Sequence, residues 1–312
     1  MRRALLVAPV LLLLASVLSG GAGWLMGPGA VHPMRRPLTP ELVQSADAAF
    51  SRLGATREDF DVTASDGVML RGWKVRPRQP NGDWVLLFHG VSDNRVGVLG
   101  HAEFLLRHGY SLVMMDARAH GASEGEIATY GWREREDTRT IVDALYASES
   151  VHCLFALGES MGGAIALQSA AVDPRIAGVV AESAFSDVRE VGYDYAGLHL
   201  SPWLGKTLFR PGVWLGLPRA EQEGGFAAEE VSPARAVASR PFPVLLICGT
   251  ADRTIPCRHS ERIYEAATRP KSLWIVPGAE HAAALGKAPE EFERRVVGFF
   301  GDLHAERQGK TS

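Results

Sequence analysis

Ser160 stands in the run Gly158-Glu159-Ser160-Met161-Gly162-Gly163, directly after the apolar stretch 151–157 and directly before the helix-forming stretch 164–171. A strand that turns abruptly into a helix leaves little room beside the turning residue. Glycines at 158 and 162 relieve that crowding and tolerate unusual backbone angles. The serine is pushed out at the strand end, where the first N–H groups of the next helix point into the same space. A hydroxyl becomes a useful nucleophile only when a base takes its proton and an acid orients the base. Asp252 follows the apolar run 244–248 and His281 follows the run that ends at Val276, so all three stand just past strand-like segments. Their chain order is Ser160, Asp252, His281, which is neither the trypsin nor the subtilisin order. An attacked carbonyl also needs donors for its developing negative oxygen. The backbone N–H of Met161 is one candidate, and that of Val91, after the strand ending at His89-Gly90, is the second. His89 precedes the serine by a whole strand–helix unit and is expected to shape that loop rather than act as the base.

The elements that must position these residues follow from hydrophobic patterning. Runs 60–64 and 68–75 flank Ser65-Asp66-Gly67, the signature of a β-hairpin. Runs 84–88, 111–115, 151–157, 176–181, 244–248 and 272–276 are short and nearly all apolar, and helical patterns are expected at 101–107, 133–146, 259–267 and 289–300. Strands buried on both faces that alternate with helices imply a mostly parallel sheet, and its chemistry gathers beyond the carboxyl ends of the strands. The stretch from about 185 to 238 breaks this alternation. It is long and aromatic, with Tyr193, Tyr195, Trp203, Phe209 and Trp214, and reads as an inserted helical cap over the site. Gly205-Lys206-Thr207 lacks the earlier glycine of a phosphate-binding loop, Leu200 occupying that position.

The composition bounds the class. The 312 residues are 46% hydrophobic and 22% charged, as in a globular protein, and the formal charge of −3 offers no basic surplus for a nucleic acid. Cys153, Cys248 and Cys257 have no zinc-like spacing and read as structural residues, the first two as small buried hydrophobes. No ligand spacing for a metal and no Gly-x-Gly-x-x-Gly for a dinucleotide occurs, so neither metal nor cofactor is expected. The amino terminus differs from the rest: Arg2-Arg3, then uncharged residues up to Arg35. Residues 1–26 read as a signal peptide or membrane anchor, implying a membrane-anchored or exported protein, with cleavage and orientation open because Arg35-Arg36 balance Arg2-Arg3. The expected organisation is 27–57 as linker and entry segment, 58–305 as the domain and 306–312 as a tail. Oligomeric state is not legible.

These residues resemble the α/β-hydrolase superfamily from about 60 to 303. Beyond the serine turn, the resemblance includes Phe88-His89-Gly90, the run Asp116-Ala117-Arg118-Ala119-His120-Gly121-Ala122-Ser123-Glu124-Gly125, Gly249–Pro256 in its acid segment and Pro277-Gly278-Ala279-Glu280-His281. Ala119 departs from the glycine usual there. The resemblance, narrowest to the serine-aminopeptidase-like and acyl-hydrolase branch, implies an α/β-hydrolase fold with Ser160 as nucleophile, Asp252 as acid, His281 as base, and Val91 and Met161 as oxyanion donors. It implies structural roles for Asp116, Arg118 and His120. The expected activity is a serine hydrolase cleaving an ester of a small-molecule acyl or lipid-like substrate, a carboxylesterase or lipase-like enzyme whose cap aromatics line the acyl pocket. A serine peptidase is the alternative and would need a carboxylate such as Glu182 or Asp187 to receive a free amine. A membrane-tethered binding protein without turnover is the remaining reading.

Overall fold

The computed structural model describes residues 2–311 apart from 199 and 269. The chain opens with α1 (Arg2–Met26), a short 3-10 turn and α2 (Pro40–Arg52), followed by β1 (Thr56–Asp59), the pair β2 (Val62–Thr63) and β3 (Met69–Leu70), and β4 (Gly72–Arg76). Next come β5 (Trp84–Phe88), α3 (Leu99–Arg107), β6 (Ser111–Met115), α4 (Glu134–Ser148), β7 (Leu154–Glu159), α5 (Met161–Val172) and β8 (Ile176–Glu182). The inserted stretch contains α6 (Val188–Gly197), α7 (Pro202–Lys206), α8 (Arg210–Gly224) and α9 (Pro233–Ser239). The chain closes with β9 (Val244–Gly249), α10 (Arg258–Ala266), β10 (Lys271–Val276), α11 (Ala284–Lys287) and α12 (Pro289–Thr311).

The main sheet has eight strands in the order β1-β4-β6-β5-β7-β8-β9-β10. β4 runs antiparallel to β6, and from β6 to β10 all pairs are parallel. The crossing order places β5 and β7 side by side at the centre, so the loop after β5 and the turn after β7 emerge next to each other. β7 is buried except at its last residue, Glu159, and β9 is buried throughout, as expected of strands covered on both faces. Their side chains divide between two apolar layers. One holds Phe155, Leu157 and Phe300, the other Leu154, Ala156 and Leu167. Phe155 and Phe300 stack with ring centroids 4.4 Å apart, fixing α12 on the first layer.

The sequence-based elements differ from the structure in a few places. The Asp-Gly hairpin forms, with Gly67 at φ 88°, but only as the small sheet β2–β3, while the run to 75 breaks after Leu70 and resumes as β4. The sheet begins earlier, at β1, whose Thr-Arg-Glu-Asp sequence is mostly exposed and pairs only with β4. α2 occupies part of the expected entry segment, and α12 runs on through most of the expected tail. Residues 27–37 are fastened to the body. Val31 is fully buried, the Val31 carbonyl accepts Ala128 N–H at 2.9 Å, and Arg35 donates to the carbonyls of Gly121, Ser123 and Gly125.

The cysteine reading needs a correction. Cys248 and Cys257 are joined by a disulfide, with Cα atoms 5.4 Å apart. The apolar setting of Cys248 concealed this, because the chain reverses after β9 and brings Cys257 back beside it. Cys153 alone remains a buried free thiol, and burial pushes it up to about 11.

Candidate active site

β7 ends at Glu159, and Ser160 turns the chain into α5 with φ 55° and ψ −121°. The unusual backbone angles therefore belong to the serine itself. The neighbouring glycines supply space: a methyl at Gly158 would strike the backbone of Gly162, and one at Gly162 would strike the Phe88 carbonyl. The Ser160 N–H is held by the Glu182 carbonyl at 2.8 Å. Ser92 (φ 58°), Ser183 (φ 50°) and Ala282 (φ 52°) also occupy the left-handed region in loops after β5, β8 and β10. Such backbone costs on the order of 1–3 kcal/mol per residue and persists only where its surroundings enforce it. Its concentration here sets this rim of the sheet apart.

The three residues separated in sequence meet at this rim. His281 Nε2 lies 2.9 Å from Ser160 Oγ, and His281 Nδ1 lies 2.8 Å from Asp252 Oδ2. The other Asp252 oxygen accepts the backbone N–H of Thr254 at 2.9 Å and of Ile255 at 2.8 Å. A carboxylate so placed accepts the Nδ1–H bond, which leaves Nε2 as an acceptor facing the hydroxyl. Ser160 and Asp252 are 6% and 5% exposed, so little water competes for these bonds. The Cys248–Cys257 bond closes the loop that carries Asp252, pinning the acid at the end of β9.

Gly90 packs against the serine: a methyl there would stand 3.6 Å from Ser160 Cβ. This brings the loop that begins with Val91 to one side of the serine, while Met161, the first residue of α5, offers a first-turn N–H on the other. The loop is braced from below. His89 Nδ1 donates to the Gly90 carbonyl at 2.7 Å, and its Nε2 accepts Ala117 N–H at 3.0 Å, so His89 is fixed in one tautomer away from the serine. Burial holds His89 below the ordinary histidine range. Asp116 accepts Arg95 N–H and Arg95 Nη2, each at 2.7 Å, and Arg118 makes two 2.6 Å bonds to Asp137. His120 Nδ1 donates to the Arg118 carbonyl at 2.8 Å, and burial lowers the ring to about 4. Ala119 has φ 61°, so the turn is the one glycine would make, carried by alanine at some strain.

Sequence reasoning missed two features. Glu159, beside the serine, is raised to about 7, chiefly by burial and against the pull of His101, with Glu182 adding to the rise. The three form a buried group in which His101 lies 4.0 Å from Glu159 and 3.7 Å from Glu182. The second is another Ser–His–Asp constellation. His259 Nδ1 lies 2.9 Å from Ser186 Oγ and accepts Ser186 N–H at 3.2 Å, while Nε2 donates to Asp194 at 2.8 Å. Ser186, Asp194 and His259 are 2%, 3% and 0% exposed, and Arg258 also bonds Asp194. With no opening to it, this network clamps α6 onto α10. No motif signals it, since its members lie 65 and 73 residues from His259.

The inserted aromatics divide. Phe185 and Tyr193 are buried, whereas Trp203 and Trp214 are 68% and 62% exposed, so these tryptophans do not line an interior pocket as the sequence suggested. Among the described residues, one cluster has metal-donor chemistry: Asp83, His152, Cys153 and His304, with donor atoms within 4.8 Å of one another. It sits at the amino ends of β5 and β7, the opposite edge of the sheet from Ser160. Asp83 already receives His304 at 2.8 Å and His152 at 3.3 Å.

The family model described as serine aminopeptidase, S33 (Hydrolase_4) matches residues 79–222. The chain is 28% identical over 251 residues to the uncharacterized protein YqkD of Bacillus subtilis, covering 78% of this chain and 79% of that one. It is 30% identical over 242 residues to the uncharacterized protein YfhR of Salmonella typhimurium, covering 74% and 76%. Among solved structures, the esterase Pf2001 of Pyrococcus furiosus superposes with a TM-score of 0.69 at 25% identity, over 87% of this chain and 97% of that one. An acylaminoacyl peptidase of Pyrococcus horikoshii superposes with a TM-score of 0.60 at 16% identity, over 82% and 43%. Sheet order, serine turn and these likenesses agree: the chain belongs to the α/β-hydrolase superfamily.

Proposed function

We propose that the protein is a serine hydrolase that cleaves a carboxylic ester through an acyl-enzyme intermediate. The observation that carries this reading is the unbroken chain of bonds from Ser160 Oγ through His281 to Asp252. Ser160 attacks the carbonyl carbon as His281 Nε2 takes the hydroxyl proton, and Asp252 stabilises the imidazolium. The carbonyl oxygen becomes an oxyanion that Val91 and Met161 N–H groups receive. His281 then gives its proton to the departing alkoxide, and the alcohol leaves. Water repeats the sequence on the acyl-enzyme, with His281 as base and then acid, freeing the carboxylic acid and the serine. No cofactor or metal enters these steps.

The peptidase reading draws on the family description and on one structural neighbour. Two observations weigh against an amine anchor at the expected carboxylates. Glu182 is 1% exposed and accepts Ala284 N–H at 2.7 Å, and Asp187 caps α6 by accepting Arg189 N–H at 2.9 Å. The helices of 185–238 serve as the cap in this proposal, with α6 reaching the rim directly from β8.

The test is labelling by a fluorophosphonate together with turnover of p-nitrophenyl esters of increasing acyl length, for wild type and Ser160→Ala. Loss of labelling and a fall in turnover on the order of 10⁴-fold or more is expected. A folded wild type that is not labelled removes the hydrolase reading. Labelling without turnover of any ester, combined with release of amino-terminal residues from peptides, replaces it with the peptidase.

A further inference from the structure

α1 does not stand apart from the body. Its carboxyl-terminal third packs in parallel on α8 through backbone contacts that only glycine permits. A methyl at Gly23 would strike the Gly212 backbone, one at Gly27 would strike Gly216, and one at Gly212 would stand 2.9 Å from the Ser19 carbonyl oxygen. Trp24 receives the Arg219 guanidinium at 4.8 Å from its ring centre. Close approach over small residues is how helices associate in bilayers, where hydrophobic burial supplies no drive. The seam continues into the domain, with Val31 packed among Ala220 and Phe226.

Just before that seam α1 turns large apolar side chains outward. Leu12, Leu13, Leu14, Val17 and Leu18 are 53–67% exposed, and α1, with 25 residues, is long enough to cross a membrane. Trp24 of α1 is 51% exposed beside that seam, and the cap turns further apolar groups outward: Trp214 of α8 at 62%, Trp203 of α7 at 68% and Leu200 at 71%. Exposed tryptophans on an apolar helix and on the cap that packs against it fit the headgroup layer, where an amphipathic ring is most stable. The side of the membrane follows from two observations. The Cys248–Cys257 disulfide belongs in an oxidising compartment. Arg35 and Arg36 are bonded within the domain, to backbone carbonyls and to Asp93, and so stay on the side of the folded body, while in the sequence Arg2-Arg3 precede the apolar run at the end that stays inside.

We propose that α1 is retained, crosses the membrane with its amino end inside, and forms with α7 and α8 one lipid-facing unit that seats the cap on the outer leaflet, so that the site takes acyl lipids from the bilayer. The substrate half rests on the hydrolase reading; the seating half does not.

The test uses the full chain in mixed phosphatidylcholine–phosphatidylglycerol vesicles, with the double variant Trp203→Ser, Trp214→Ser beside wild type. Intact mass of membrane-extracted protein should keep the whole 33.7 kDa chain; loss of the first 20 to 30 residues, the length of a removed leader, overturns retention. Brominated lipid should quench tryptophan emission more in wild type than in the variant, and equal quenching overturns the seating. The variant should hydrolyse p-nitrophenyl butyrate at the wild-type rate yet lose roughly tenfold on vesicle-borne diacyl lipid, a difference on the order of 1.4 kcal/mol. Equal rates on both substrates overturn delivery from the bilayer. If wild type hydrolyses neither substrate while quenching persists, the hydrolase reading fails and the seating stands.

Discussion

Glu159 offers the sharpest physical test of the site. Its carboxyl moves from an ordinary 4.5 to about 7, with burial the main cause. A raised carboxyl pKa means that the folded state holds the proton more tightly than the unfolded chain. The associated stability is fully present below pH 4.5 and is lost as pH rises through 7. Converting that displacement at about 1.4 kcal/mol per pH unit gives roughly 3 kcal/mol lost between pH 4.5 and 8 or above. The side chain is only 15% exposed, so solvent screening takes little from this figure. Glu159→Gln keeps the shape and cannot ionise. It should match wild type near pH 5 and exceed it by up to about 3 kcal/mol at pH 9, a gap of roughly 5–8 °C in Tm for a domain of this size. Scanning calorimetry of both proteins from pH 5 to 9 reads this directly. Parallel stability curves across that range would refute the argument, since the ionised carboxylate would then be no burden to the fold. Turnover supplies a second readout. Glu159 stands beside the serine within the field of His281, so its carboxylate steadies the positive charge that forms on the ring as the serine loses its proton, and the variant should lose a few-fold in kcat at pH 8 but not at pH 5.5.

Three further outcomes follow from the same geometry. Asp252→Asn keeps the shape but presents His281 with the wrong tautomer, so kcat should fall on the order of 10⁴-fold with KM little changed, read by steady-state kinetics. Ala119→Gly relieves an alanine at φ 61°. Relief on the order of 1–2 kcal/mol, less about 0.4–1 for glycine's greater unfolded freedom, should raise Tm by one to a few degrees. Replacing Cys248 and Cys257 together by alanine opens a loop spanning nine positions, costing on the order of 2–3 kcal/mol. It should lower both thermal stability and kcat, because that loop carries Asp252, and treatment of wild type with a reductant should move both the same way.

The parts of the fold that the sequence made legible are those where burial dictates composition. Runs 84–88 and 111–115 coincide with β5 and β6 because a central parallel strand must be apolar on both faces. β1 was invisible because Thr56–Asp59 is an edge strand with polar side chains in water. The run expected at 151–157 is displaced, since β7 starts at Leu154 and ends on the polar Glu159, whose role is to stand beside the serine rather than to fill the core. α2 did leave a signal, in Thr39 and Pro40 at its first turn, that hydrophobic patterning does not read. That Ser160, Asp252 and His281 share one rim was legible because each follows the carboxyl end of an apolar run, a pattern tied to local sequence. The disulfide, the Glu159 cluster and the Ser186–His259–Asp194 network depend on segments brought together only by folding, and nothing local encodes them.

That network also has a mechanical consequence. Asp194 on α6 grips Arg258 and His259, the first two residues of α10, and the residue just before them is Cys257. Through the disulfide, the same few atoms are tied to the end of β9 and to the loop bearing Asp252. Cap and acid thus share one point of attachment. In the proposed reaction, a displacement of α6 as an acyl chain enters would be transmitted as tension to the carboxylate bonded to His281, so the alignment of the proton path and the occupancy of the cap would not be independent variables.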